Sequence, residues 1–167
     1  MADRDLIGQW VNGLRIWQMA HMRASAWFGR MHFVLGVPVT VLAAVIGTSL
    51  FADTGQLPAA LRYFSAMASI AVAVLSALQT FFNYPQRANQ HAATAAKFGA
   101  LRRRLETALA FAGEGKGLAE KAQVIQAEWA ELEETMPVVP QRFYDEAQSR
   151  VRRFSAPAPA EAVPATA

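Results

Sequence analysis

Residues 63–84 read YFSAMASIAVAVLSALQTFFNY, 22 positions without a charged side chain. At about 1.5 Å of helical rise per residue, that stretch covers roughly the 30 Å hydrocarbon core of a bilayer. Upstream, residues 33–51 read FVLGVPVTVLAAVIGTSLF, 19 positions that also lack any charge. A short connection, ADTGQLPAALR at 52–62, joins them. Two such runs in close succession predict a two-helix transmembrane hairpin. Paired core helices of a soluble globule are the competing reading, but a chain of 167 residues rarely hides two charge-free runs this long. A cleaved signal peptide fits the first run poorly, because about thirty residues, polar and charged ones among them, precede it.

The flanks agree with a bilayer. Trp27, Phe28 and Phe33 stand at one end of the first run, and Phe51, Tyr63 and Phe64 bracket the connection. Phe81, Phe82 and Tyr84 close the second run. Rings at both ends of both runs match an interfacial belt. Arg15, Arg23 and Arg30 precede the hairpin, and Arg87, Lys97, Arg102, Arg103 and Arg104 follow it, whereas the connection holds only Arg62. The positive-inside rule therefore places both termini in the cytoplasm and the connection outside.

Composition points the same way and excludes much else. The chain is 53 % hydrophobic and only 17 % charged, against roughly 25 % for ordinary soluble domains. With no cysteine there is no disulfide framework, thiolate nucleophile or iron–sulfur cluster. His21, His32 and His91 never fall at helical ligand spacing, so no metal site is expected. Nucleophile-elbow, phosphate-loop and dinucleotide signatures are absent, and Glu128, Glu131, Glu133 and Glu134 read as a solvated helix face. The expectation is a protein with no catalytic residues and no cofactor.

Outside the hairpin the pattern is helical. Residues 1–32 carry Leu6, Trp10, Leu14, Trp17, His21, Ala24 and Phe28 on one stripe, an amphipathic cytoplasmic helix that packs on others, with His21 as a packing residue. Residues 85–154 read as further cytoplasmic helices, with a bend at Pro85, a glycine turn at 113–117 and a break at the prolines of 137–140. Phe98, Leu101, Leu105 and Ala108 form one stripe. Leu118, Ala122, Ile125, Trp129, Leu132 and Met136 form a second, and Phe143, Ala147, Val151 and Phe154 a third. Residues 155–167, rich in Ala and Pro, read as a disordered tail.

Charge is split along this part. Residues 85–106 are basic and residues 114–146 acidic, so a hairpin about the glycine turn sets Arg102 near Glu128 and Lys97 near Glu133. The arginine cluster lacks the aromatic or glycine pattern of a nucleic-acid site, and no nucleic-acid partner is expected.

The second run carries the functional signal. Ala66, Ser69, Ala73, Ser76, Thr80 and Asn83 recur at spacings of three and four, one narrow stripe of small and polar side chains. Such a stripe lets helices approach closely, or lines a polar path when several copies surround an axis. The second use implies a homo-oligomer, because one hairpin cannot enclose water. In the first run, Pro38 and Gly47 are candidates for a bend and for close packing.

These residues resemble a known family. VPVTVLAAVIGTSLF (37–51) and LSALQTFFNYPQRANQHAATAAKFGALRRRLE (75–106) are similar to the SLATT family of two-helix bacterial membrane proteins. The likeness lies in Pro38 and Gly47, in the segment LSALQTF, and in His91 ahead of Phe98 and LRRRLE. MPVVPQRFYDEA (136–147) extends it, so that it covers roughly residues 15–150. The resemblance implies an all-α protein of the bacterial inner membrane. It also implies a pore-forming effector of antiphage or conflict systems, triggered by a separately encoded sensor or nucleotide-second-messenger synthase. A non-conducting membrane anchor or scaffold, recruiting partners through its cytoplasmic helices, is the alternative.

Overall fold

The computed structural model describes residues 2–52, 58–111 and 116–155. They form five α-helices: α1 Ala2–Ala52, α2 Ala59–Phe82, α3 Tyr84–Phe111, α4 Lys116–Thr135 and α5 Gln141–Ser155. No strand occurs among the described residues. The chain divides into two compact units, one of Met1–Ala24 with His91–Ala167, the other of Ser25–Gln90. Residues 53–57 of the connection, most of the glycine turn and the tail after Ser155 lie outside the described residues.

The boundary expected between residues 32 and 33 is not drawn. α1 is a single helix of 51 residues that continues through Pro38. Proline removes one backbone donor from a helix interior. Two residues on, the Thr40 hydroxyl donates to the Gly36 carbonyl at 2.9 Å. The bend expected at Pro85 falls earlier, at Asn83, which takes the left-handed conformation (φ 45, ψ 51). Its N–H donates to the Gln79 carbonyl at 3.1 Å, and its own carbonyl accepts from the Arg87 N–H at 3.2 Å. One residue thus ends α2 and starts α3. Asparagine tolerates this region better than most side chains, and Pro85 then occupies the first turn of α3, where no donor is needed.

In the first unit, Ile7, Val11, Leu14, Phe98, Leu101, Leu105, Ala108, Leu118, Ala122, Ile125 and Leu132 make one apolar core. Trp10, Trp17, Trp129 and Met136 pack against its margin. The stripes read on α3 and α4 are the buried faces. On α1 the face is turned by one residue at its start, so that Ile7 and Val11 are buried while Leu6 is 46 % exposed. α1 is covered by α3 and α4 together, and a face shared between two neighbours is wider than a single row. Phe154, read onto the buried stripe of α5, is exposed, and α5 seals only Phe143, Ala147 and Val151. α1 and α4 approach closely at Gly13, where a Cβ would stand 2.8 Å from Trp129 Cη2.

The second unit pairs the later part of α1 with α2. Its shaded positions include Leu35, Gly36, Val39, Ile46 and Gly47 on α1, and Ser65, Ala68, Val72, Leu75 and Gln79 on α2. Elsewhere large apolar side chains stand uncovered, Phe33, Val41, Phe64, Ile70 and Val74 among them. Each of the two apolar stretches is long enough to cross a membrane, and only 6 % of one window and 0 % of the other is buried. The core helix of a soluble protein hides such a surface. These helices do not.

Candidate functional site

The small-residue stripe of α2 is not the face that packs inside the hairpin. Ala66, Ser69, Ala73, Ser76 and Thr80 are all exposed, and the shaded row beginning at Ser65 lies about 100° away around the helix. The Ser69 hydroxyl donates to the Ser65 carbonyl at 2.8 Å and Thr80 to the Ser76 carbonyl at 3.1 Å. Hydroxyls satisfied by their own helix can face lipid, a second helix or water without stranding a donor. Asn83 leaves the stripe to serve as the α2–α3 junction, its amide hydrogen-bonded to Gln86.

Of the two candidates in the first run, Pro38 is exposed and Gly47 has open space where a Cβ would stand. Gly36 is the glycine that meets α2, its Cβ direction ending 3.5 Å from Gln79 Oε1. The Gln79 amide nitrogen is buried without a hydrogen-bond partner.

Aromatic side chains gather at the α2–α3 junction. Phe82 and Tyr84 lie 5.6 Å apart, Phe28 lies 6.4 Å from Tyr84, and Arg87 stands 6.0 Å above the Phe28 ring. Cations over ring faces are favoured electrostatically.

The charge blocks of α3 and α4 do complement each other, in a different register from the expected one. Arg104, not Arg102, meets Glu128, through two contacts, with Nη2 donating to Oε1 at 2.9 Å. Hydrogen bonding to Arg104 holds the Glu128 carboxyl below its usual range and raises Arg104. Arg102 turns to Glu106 on its own helix at 3.5 Å, and Glu106 also accepts from Arg15 of α1 at 3.3 Å. Glu133 accepts from Trp129 Nε1 at 2.8 Å rather than pairing with Lys97, which is exposed. Arg102 and Arg104 stand some 200° apart around a helix, so only one of them can face α4.

The reading of separate histidines missed one contact. His21 and His91 bring their Nδ1 atoms to 3.0 Å inside the first unit, both rings buried. Trp17 and Phe98 line the pocket, with centroids 6.1 and 5.6 Å from His21. A contact of this length requires one Nδ1 to carry the proton and the other to accept it. Burial, and then the charge of His91, lowers the His21 pKa to about 4. Seventy positions separate the two residues, and only the packing of α1 on α3 joins them.

Among the described residues no three His, Asp or Glu side chains gather as a metal site. An open groove of about 830 Å³ runs between α3 and α4, bordered by Arg103, Thr107, Phe111, Lys121 and Val124. No protein-family model, curated protein or solved structure matches this chain.

Proposed function

We propose that this chain is a regulated, oligomeric pore-forming effector of bacterial antiphage or conflict defence, inserted in the inner membrane with both termini cytoplasmic. The observation that carries the reading is on α2. A row of small and hydroxyl-bearing residues stands uncovered on a helix whose remaining exposed surface, past Arg62 in its first turn, is apolar. In a lipid bilayer such a row is a helix-association surface, and around a symmetry axis it is also a wettable face. One hairpin encloses no water, so conduction needs several copies.

The resemblance to the SLATT family supports the same reading and supplies its biological setting, including a separately encoded sensor or nucleotide-second-messenger synthase as trigger. In this mechanism the bundle formed by the N-terminal part of α1 with α3, α4 and α5 receives the signal. Its shift rotates or separates the α2 helices and exposes Ser69, Ser76 and Thr80 to water. The work is dissipation of an existing ion gradient, with no catalysis.

The test is ion flux from liposomes, or current across a planar bilayer, with Ser76→Leu and Thr80→Leu beside the parent chain. Loss of flux with oligomerisation intact supports the pore. A chain that assembles and binds partners yet passes no current under any condition is the anchor instead.

A further inference from the structure

Helix α5 carries Arg142, Arg150, Arg152 and Arg153 against two acids, Asp145 and Glu146. Both acids are engaged. Glu146 pairs with Arg23 of α1, and Asp145 Oδ1 accepts from Gln141 Nε2 at 2.9 Å. Burial of Phe143, Ala147 and Val151 sets the inward face of α5. Arg150, Arg152 and Arg153 are exposed, and beside them Phe154 is 81 % exposed. Three guanidiniums around an uncovered phenyl ring suit an anionic lipid surface, the cations for headgroup phosphates and the ring for the interfacial layer.

Tyr144 packs on Trp17 with ring centroids 4.9 Å apart, and two residues later Glu146 reaches Arg23, so α5 is held to α1 by side chains outside the basic cluster.

We infer that Arg150, Arg152, Arg153 and Phe154 dock on anionic lipid headgroups of the membrane that holds α1 and α2. The inference rests on the membrane reading of those two helices and is independent of conduction.

Because the chain has no cysteine, a single introduced one takes a unique spin label. Ser149→Cys places a label beside Arg150 and one helical turn from Arg152 and Arg153. Val74→Cys places one on the apolar face of α2. Full-length protein is reconstituted in phosphatidylcholine vesicles with and without phosphatidylglycerol. The Val74 label is expected to be open to oxygen and closed to an aqueous nickel chelate in both. The Ser149 label is expected to lose about half its nickel accessibility when the anionic lipid is present. That loss disappears in the Arg150→Gln, Arg152→Gln, Arg153→Gln variant, whose unchanged helicity by circular dichroism shows it folded.

A Ser149 label equally open in both vesicles, with Val74 still in lipid, overturns the docking of α5 alone. A Val74 label open to water overturns the membrane reading itself. If an RNA duplex shields the Ser149 label and the anionic lipid does not, the patch belongs to nucleic acid and the lipid assignment is overturned.

Discussion

His21 of α1 and His91 of α3 share one proton across a 3.0 Å contact between their Nδ1 atoms, in a pocket closed by Trp17 and Phe98. The contact is a neutral one. A proton added to the accepting Nδ1 would set two N–H donors against each other and leave a charged ring in a buried site, and burial already favours the uncharged form.

A pH dependence follows from that pair. The pKa of His21 is about 4 in the folded chain and about 6.5 in the unfolded one, so the unfolded state binds more protons between these values. Stability is therefore full above about pH 6.5 and falls as pH drops from there toward 4. The loss contributed by this group is on the order of 3 kcal/mol at most. Thermal unfolding in detergent, followed by circular dichroism at pH 7 and pH 5, should show the drop. His21→Leu should flatten it.

Gly13 and Gly8 lie on the same helix and should respond to alanine with opposite sign. At Gly13 a Cβ would meet Trp129 Cη2 at 2.8 Å, so Gly13→Ala forces the indole or the helix to move, at about 1–3 kcal/mol. At Gly8 nothing stands within 4 Å, and Gly8→Ala should gain up to about 1 kcal/mol from helix propensity. Melting temperatures of the two variants check both. Equal shifts would refute the close approach of α1 to α4.

Asn83 is the only non-glycine residue with positive φ among the described residues. Asn83→Gly should be tolerated, whereas Asn83→Val should cost about 1–2 kcal/mol, because a branched Cβ clashes with the backbone in that region. The comparison is again a thermal midpoint. A valine variant as stable as the glycine variant would mean that α2 runs into α3 without this junction.

The Arg104–Glu128 pair is exposed, so its coupling should be small. A double-mutant cycle with Arg104→Ala and Glu128→Ala should return less than about 1 kcal/mol, declining as salt is added. The same cycle on Arg102 and Glu128 should return nothing, since Arg102 turns to Glu106.

Much of the helical architecture was legible because one-dimensional periodicity reports burial wherever a single face is covered. Phe98, Leu101 and Leu105, with Leu118, Ile125 and Leu132, lie at spacings that permit no other common face, and all are buried. Legibility failed where two faces compete or where contact partners are remote. Leu6 and Ile7 are both apolar and adjacent, and only the presence of two neighbours selects Ile7. Arg102 and Arg104 are the same residue type two positions apart, and the rotation of α3 against α4 selects Arg104 for Glu128. On α2, the row from Ser65 through Val72 and Leu75, rather than the neighbouring small-residue row from Ala66, turns inward.

Sequence by itself determined that this protein is helical, where the breaks after α2 and α4 fall to within a few residues, and that two stretches are too apolar and too long for an ordinary solvated surface. These are properties of residue type and order, which local sterics and hydropathy read without knowledge of neighbours. Tertiary structure alone decided which side of each helix faces which partner. It brought His21 to His91 across seventy positions, set Trp129 against Gly13, and left the Ser69–Thr80 row uncovered. Helix rotation is fixed by the packing of whole faces against one another, a sum over distant residues that no window along the chain contains.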